Sequence, residues 1–202
     1  MCEYQDAQVN RLGLLSRREF NTLLGLMGMQ SVVSECAVTQ PRFSTAVPFA
    51  HPGMLQSARD LGRMRNGIRK GVQPLLQGFE KLRLDHHSQL TYQSQGASGE
   101  IGRNPNVRFD IFDADSSAAY QCVLMGHLTG DPNYFNVCRN ILDDWATTLK
   151  RITGADAILC AALGGFKMAN AAELLRYSSA GWPAESAEKL GRLLSDVFLP
   201  VI

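Results

Sequence analysis

Charge of one sign is scarce: 20 Lys and Arg against 19 Asp and Glu leave a net +1 over 202 residues. That balance carries no electrostatic footprint for nucleic acid, although a local basic cleft can still hold an acidic ligand. Cysteines are few and scattered, at Cys2, Cys36, Cys122, Cys138 and Cys160. None of the short paired spacings of a zinc site occurs, so no metal and no cofactor is expected. Cys122, Cys138 and Cys160 fall among apolar residues of predicted helices, where a free thiol packs as a small hydrophobe. No convincing run of alternating β-branched residues is present, which argues against an extended sheet. The hydrophobic share of 45% suffices for a sizeable core and opposes disorder.

The amino-terminal stretch reads as an address. Ser16-Arg17-Arg18-Glu19-Phe20 precedes TLLGLMGMQSVV at positions 22–33, a charge-free run too short to span a bilayer. Paired arginines before such a run resemble a twin-arginine export signal, here residues 1–37, with Asn21-Thr22 where such signals usually carry Leu-Lys. An ordinary amphipathic helix is the alternative. Glu35 before Cys36 has the wrong size for a lipidation signal. Residues 38–50, with Pro41 and Pro48, read as a linker. The expected location is periplasmic or secreted, with no membrane attachment once the signal is removed.

From residue 51 the periodicity is helical. Leu55, Ala58, Leu61, Met64 and Ile68 form one stripe, and Val72, Leu75, Leu76, Phe79 and Leu82 a second, with Gly71 between them; this predicts a helical hairpin. A loop over residues 86–110 follows, long enough to suggest a function. Its Arg103, Asn104, Asn106 and Arg108 suit an anionic sugar, and a solvated surface loop is the alternative. Residues 114–128 are apolar on most faces. Residues 132–150 carry one stripe: Tyr134, Val137, Cys138, Ile141, Leu142, Trp145 and Leu149. The alternation repeats, with 157–177 apolar nearly all round and 184–198 on one side. An all-α fold of antiparallel helical hairpins, part of an incomplete α/α toroid, accounts for alternating inner and outer helices.

Polar residues inside the apolar helices are the candidates for a site. Lys167 and Asn170 share one sector of 157–177, where burial is costly unless they are paired or face a wet cleft. Glu173 and Arg176 have the spacing of a surface pair. His86, His87 and Tyr92, at the entry to the long loop, are candidates for a general base. His127 reads as a helix-end residue favoured by the dipole, and Asp143-Asp144 as a solvated helix face.

Five pieces, in order and spacing, resemble the alginate-lyase-like polysaccharide lyases: HPGML at His51, GRNPNV at Gly102, DADSSAAYQCVLMGHLTGD from Asp113, NILDDWATTLKRITG from Asn140 and GGFKMANAAELLRYSSAGW from Gly164. The resemblance covers about residues 50–202 and implies export, an incomplete α/α toroid and cleavage of a uronic-acid polymer by β-elimination. In such chemistry an Asn, Gln or Arg neutralises the uronate carboxylate, a His or Tyr removes the neighbouring proton, and an acid protonates the leaving oxygen. The resemblance also implies that the catalytic asparagine with histidine or tyrosine lies beyond Ile202. The chain is then expected to be truncated at its C-terminus and to contribute substrate binding through Arg103, Asn104, Asn106, Lys167 and Asn170. Uncovered inner helices would favour self-association. Two other readings stay open: a non-catalytic helical module binding anionic polysaccharide or a protein partner, and a glycoside hydrolase, which needs two carboxylates across a cleft, with Asp113, Asp115 and Glu173 as suppliers.

Overall fold

Ser57 opens the first helix with a reciprocal cap: its hydroxyl accepts from the Asp60 N–H, and the Asp60 carboxylate accepts from the Ser57 N–H, both at 3.2 Å. Such a cap satisfies two donors that the first turn leaves unpaired. The computed structural model describes residues 49–202, all within one unit, Val47–Ile202. The arginine pair, the apolar run at 22–33, Cys2, Cys36 and nearly all of the linker lie outside the described residues. Among the described residues six α-helices follow in order: α1 (Ala58–Arg69), α2 (Leu75–Leu84), α3 (Phe109–Thr129), α4 (Asn133–Thr148), α5 (Ala157–Arg176) and α6 (Ala184–Leu193). A single wide π turn, Leu194–Phe198, and a 3₁₀ turn, Leu199–Val201, continue α6.

The described residues are mostly helical, and α3 behaves as its pattern dictates, with no residue from Ile111 to Leu128 exposed. Helix α5 departs from its pattern: Cys160, Met168, Ala171 and Leu175 are buried on one side, while Ile158, Leu159, Leu163 and Phe166 are exposed on the other. On α4 burial follows one stripe, Phe135, Cys138, Ile141, Leu142 and Trp145. Packing α3 against α5 requires close approach at Gly164, where an added Cβ would stand 1.9 Å from the Phe112 ring. The helix-interior glycine, which costs ~1 kcal/mol against alanine, is offset by that contact. Gly130 closes α3 at φ 83° and returns its N–H to the Gly126 carbonyl at 2.9 Å, the left-handed stop for which glycine is suited.

Two departures from the sequence reading are local. A pair of three-residue strands exists, β1 (Glu100–Gly102) parallel to β2 (Arg151–Thr153), in the register Glu100↔Arg151, Ile101↔Ile152 and Gly102↔Thr153. Strands this short hold no readable alternation; their pairing comes from the helices that bring the two loops together. Helix α3 begins at Phe109 rather than 114, because the Asn106 carboxamide oxygen accepts the Phe109 N–H at 2.9 Å and caps the first turn.

Candidate functional site

Polar side chains follow the boundary between α3 and α5. Asp113, Ser117 and Tyr120 fall on one stripe of α3, and Lys167, Asn170 and Glu173 advance along α5 three residues at a time. At one end the Lys167 ammonium donates to Asp113 Oδ1 at 2.5 Å and to Ser117 Oγ at 2.9 Å, with its side chain 22% exposed. Burial of a lysine on an apolar helix is thus compensated by an ion pair and a hydroxyl acceptor. Asn170 is buried, and both its groups are used: Nδ2 donates to the Phe166 carbonyl at 2.8 Å, and Oδ1 accepts the Leu55 N–H at 3.2 Å.

The other end of this polar line is covered by the segment 49–56. Tyr120 donates its hydroxyl to Gln56 Oε1 at 2.8 Å. Glu173 Oε1 bonds His51 Nδ1 at 2.7 Å and accepts the Gly53 N–H at 3.0 Å. The His51 ring stacks on Tyr177 with centroids 4.2 Å apart and meets the Phe49 ring edge-on at 4.9 Å. The expected Glu173–Arg176 pair is therefore replaced: a strap from 120 residues away takes the carboxylate, and Arg176 lies over the Tyr177 ring at 5.9 Å.

The loop before α3 is stitched to the start of α5. The Arg103 N–H donates to the Thr153 carbonyl, the Asp156 N–H to the Arg103 carbonyl, and the Ala155 N–H to the Asn104 carbonyl, at 2.9 to 3.2 Å. Arg103 stands over the Phe109 ring at 5.4 Å and 3.8 Å from the Asp156 carboxylate. Asn106 is the cap of α3, and Arg108 holds the Gly96 carbonyl at 2.8 Å. Burial pushes the Cys160 thiol up to about 11, with Arg103 pulling it down and Asp113 pushing it up. Two ion pairs therefore mark this side of α5: Arg103 with Asp156 just before its first residue, and Asp113 with Lys167 at its middle.

His86, His87 and Tyr92 come together in a different place. The His86 and His87 rings lie 3.6 Å apart, and the Tyr92 ring 5.8 Å from that of His87. Asp85 Oδ1 contacts the Nδ1 atoms of His87 at 2.9 Å and His86 at 3.8 Å. Tyr92 is committed: its hydroxyl donates to Asp115 at 2.7 Å, and burial followed by that carboxylate raises its pKa far above the ordinary tyrosine value. The His87 carbonyl meets the Cys122 thiol, nine residues along α3 from Asp113, or about 13 Å at the helical rise. Among the described residues no hydrogen bond or ion pair joins the histidines to the Lys167–Asp113 pair.

Asp115 went unnoticed as an anchor. Fully buried, it accepts from the Tyr92 hydroxyl, from the Ser94 hydroxyl at 2.7 Å and from Trp145 Nε1 at 2.8 Å, fixing the long loop and α4 to α3. Its burial removes it from contact with any substrate, and the two other carboxylates of the hydrolase reading are engaged, Asp113 by Lys167 and Glu173 by His51. The rule used for Lys167, a charge on an apolar helix face, would have found it.

Two further readings are corrected. Asp143 accepts from Trp182 Nε1 at 2.9 Å and Asp144 from the Ala97 N–H at 3.1 Å, so this pair holds two loops to α4. His127 is held by more than the helix dipole. Nε2 donates to the Leu174 carbonyl at 3.0 Å, and burial lowers its pKa. Burial also raises the Cys122 thiol to about 12 and the Cys138 thiol well above its usual value, so these act as packing groups. Comparison with known protein families, curated proteins and solved structures finds no match for this chain.

Proposed function

We propose that the chain is part of a polysaccharide lyase that cleaves a uronic-acid polymer such as alginate by β-elimination, and that it supplies carboxylate binding. The observation that carries this reading is the Lys167 ammonium on an otherwise apolar stretch of α5, still 22% exposed and held by Asp113 and Ser117, with a second cation, Arg103, paired with Asp156 where α5 begins. Supporting it, the five pieces that resemble alginate-lyase-like enzymes include most of α3, most of α5 and the turn carrying Arg103. The alternation of α3, with no exposed residue between Ile111 and Leu128, and one-stripe α4 supports an incomplete α/α toroid of antiparallel hairpins, exported through its amino-terminal signal.

The chemistry explains why cations belong there. Removing a proton beside a carboxylate builds a second negative charge, and a guanidinium or ammonium on that carboxylate stabilises the transition state more than the ground state. A uronate arriving at Lys167 exchanges with Asp113 for the ammonium, while Arg103 offers a planar fork suited to a carboxylate. Tyr92 is unsuited to move a proton while Asp115 holds its hydroxyl. His86 and His87 are held at Asp85 with no hydrogen bond to the Lys167–Asp113 pair, and the base is assigned to no described residue.

The test pairs binding with turnover. Polymannuronate, polyguluronate and a neutral glucan are titrated against the chain, and the near-ultraviolet absorbance of an unsaturated product is followed. The acidic polymers should bind and the neutral one should not. Lys167→Ala and Arg103→Ala should each weaken binding about tenfold, the equivalent of ~1.4 kcal/mol. Equal binding of the neutral glucan would overturn the proposal. Uronate binding without an unsaturated product would favour the non-catalytic module, which the commitment of Tyr92 to Asp115 already favours for the isolated chain.

A further inference from the structure

Between positions 157 and 166 of α5 every exposed residue is apolar: Ile158, Leu159, Ala162, Leu163 and Phe166. Leu159, Leu163 and Phe166 follow the i, i+4, i+7 spacing of a ridge. Beside it runs a groove of about 320 Å³ floored by Ala162, Gly165 and Ala169 and walled by Phe198, Leu199 and Ile202. Ridge and groove form one face without a charged group. We infer that this face is a two-fold interface with a second copy of the chain, the ridge of each copy lying in the groove of the other.

Three arguments select that occupant. An isologous contact requires one patch to be complementary to itself, and a ridge of large residues beside a trough of small ones meets that requirement. The absence of charge offers nothing to an acidic or basic partner. The area is adequate: Ile158, Leu159, Leu163, Phe166, Leu199 and Ile202 are 41 to 67% exposed. With roughly 150–250 Å² for a large side chain, they present on the order of 500 Å² of apolar surface. With a polar rim this approaches the ~800 Å² per partner of a standard interface. Helix α5 also has the length and hydropathy of a membrane span, but half of the window that qualifies is buried within the protein, so a lipid surface is an outcome of the test. The inference does not use the lyase chemistry; under that reading a further hairpin of the same polypeptide is the rival occupant of this face.

Sedimentation velocity of the full chain over a wide concentration range should show a reversible dimer. The double variant Leu163→Lys/Phe166→Glu should raise its dissociation constant on the order of a hundredfold, as for loss of a central apolar hot spot, with the helical circular dichroism unchanged. A monomer at every concentration would overturn the inference. So would a dimer indifferent to the double variant, or mass that grows without limit. Flotation with phosphatidylcholine vesicles, lost in the same variant, would reassign the face to lipid. Should the double variant unfold, Leu159→Gln, at the edge of the ridge, repeats the measurement.

Discussion

Over its second half α5 is crossed by the segment 49–56, whereas the outward face of its first half is bare. The first half, AILCAALGGF, holds no charged or amide side chain, and the second, KMANAAELLR, holds four. The covered half carries Asn170 and Glu173, whose oxygens accept backbone N–H groups from Leu55 and Gly53. A directional acceptor selects one particular piece of chain and fixes its register. The bare half presents only Ile158, Leu159, Ala162, Leu163 and Phe166, which attract any sufficiently apolar surface and specify none by hydrogen bonding.

The sharpest test of this contrast acts beneath both halves. Asp115→Ala leaves the Trp145 and Tyr92 donors unpaired in the core and should cost about 2–5 kcal/mol, at about 1–3 per unpaired donor; in denaturant unfolding, amide exchange should accelerate throughout α3 and α5 alike. Glu173→Ala should be selective. Releasing His51 and the Gly53 N–H should cost about 1–2 kcal/mol and speed proteolysis within 49–56, while exchange in 157–166 stays unchanged. Equal loosening of both halves would mean that the strap is not what distinguishes them.

A pH series probes the covered half again, since His127 donates to the Leu174 carbonyl. Burial lowers its folded pKa below the unfolded value of about 6.5. The unfolded chain therefore binds the proton more readily, and stability falls as pH drops below that value. His127→Gln, which keeps a donor, should flatten this slope in thermal melts at pH 5 to 7. The smallest effect belongs to the bare half: Phe166→Ser should change folding stability by no more than about 0.5 kcal/mol while raising solubility. A large loss would show that Phe166 is part of the core.

The helices are legible because α3 and α5 are apolar nearly all round and α4 on one side, although α5 leaves part of its apolar surface uncovered. That pattern depends on local periodicity, which sequence carries directly. Lys167 and Asn170 stand out in the sequence as polar groups on an apolar helix, but Asn170, expected to bind substrate, is buried with both its groups engaged, and the identity of the partners is not readable. Asp113 lies 54 positions from Lys167, and Leu55 lies 115 from Asn170. Glu173 misled for the same reason: its sequence neighbour Arg176 was plausible, and the better partner came from the far end of the domain. Asn106 and Arg108 have the chemistry of sugar contacts, yet one caps a helix and the other pins a loop; composition cannot separate those uses.

The β1–β2 pair bears on the order in which the chain folds. Glu100 and Arg151 are registered across an interval that contains all of α3 and α4. Closing a flexible loop of that length for three residues of ladder is entropically unrewarding. Once α3 and α4 dock as a hairpin, the two strands are delivered side by side and the remaining cost is small. The ladder should therefore form after the helical hairpin, with conservative substitutions at Ile101 giving φ-values near zero and those at Leu142 substantially higher.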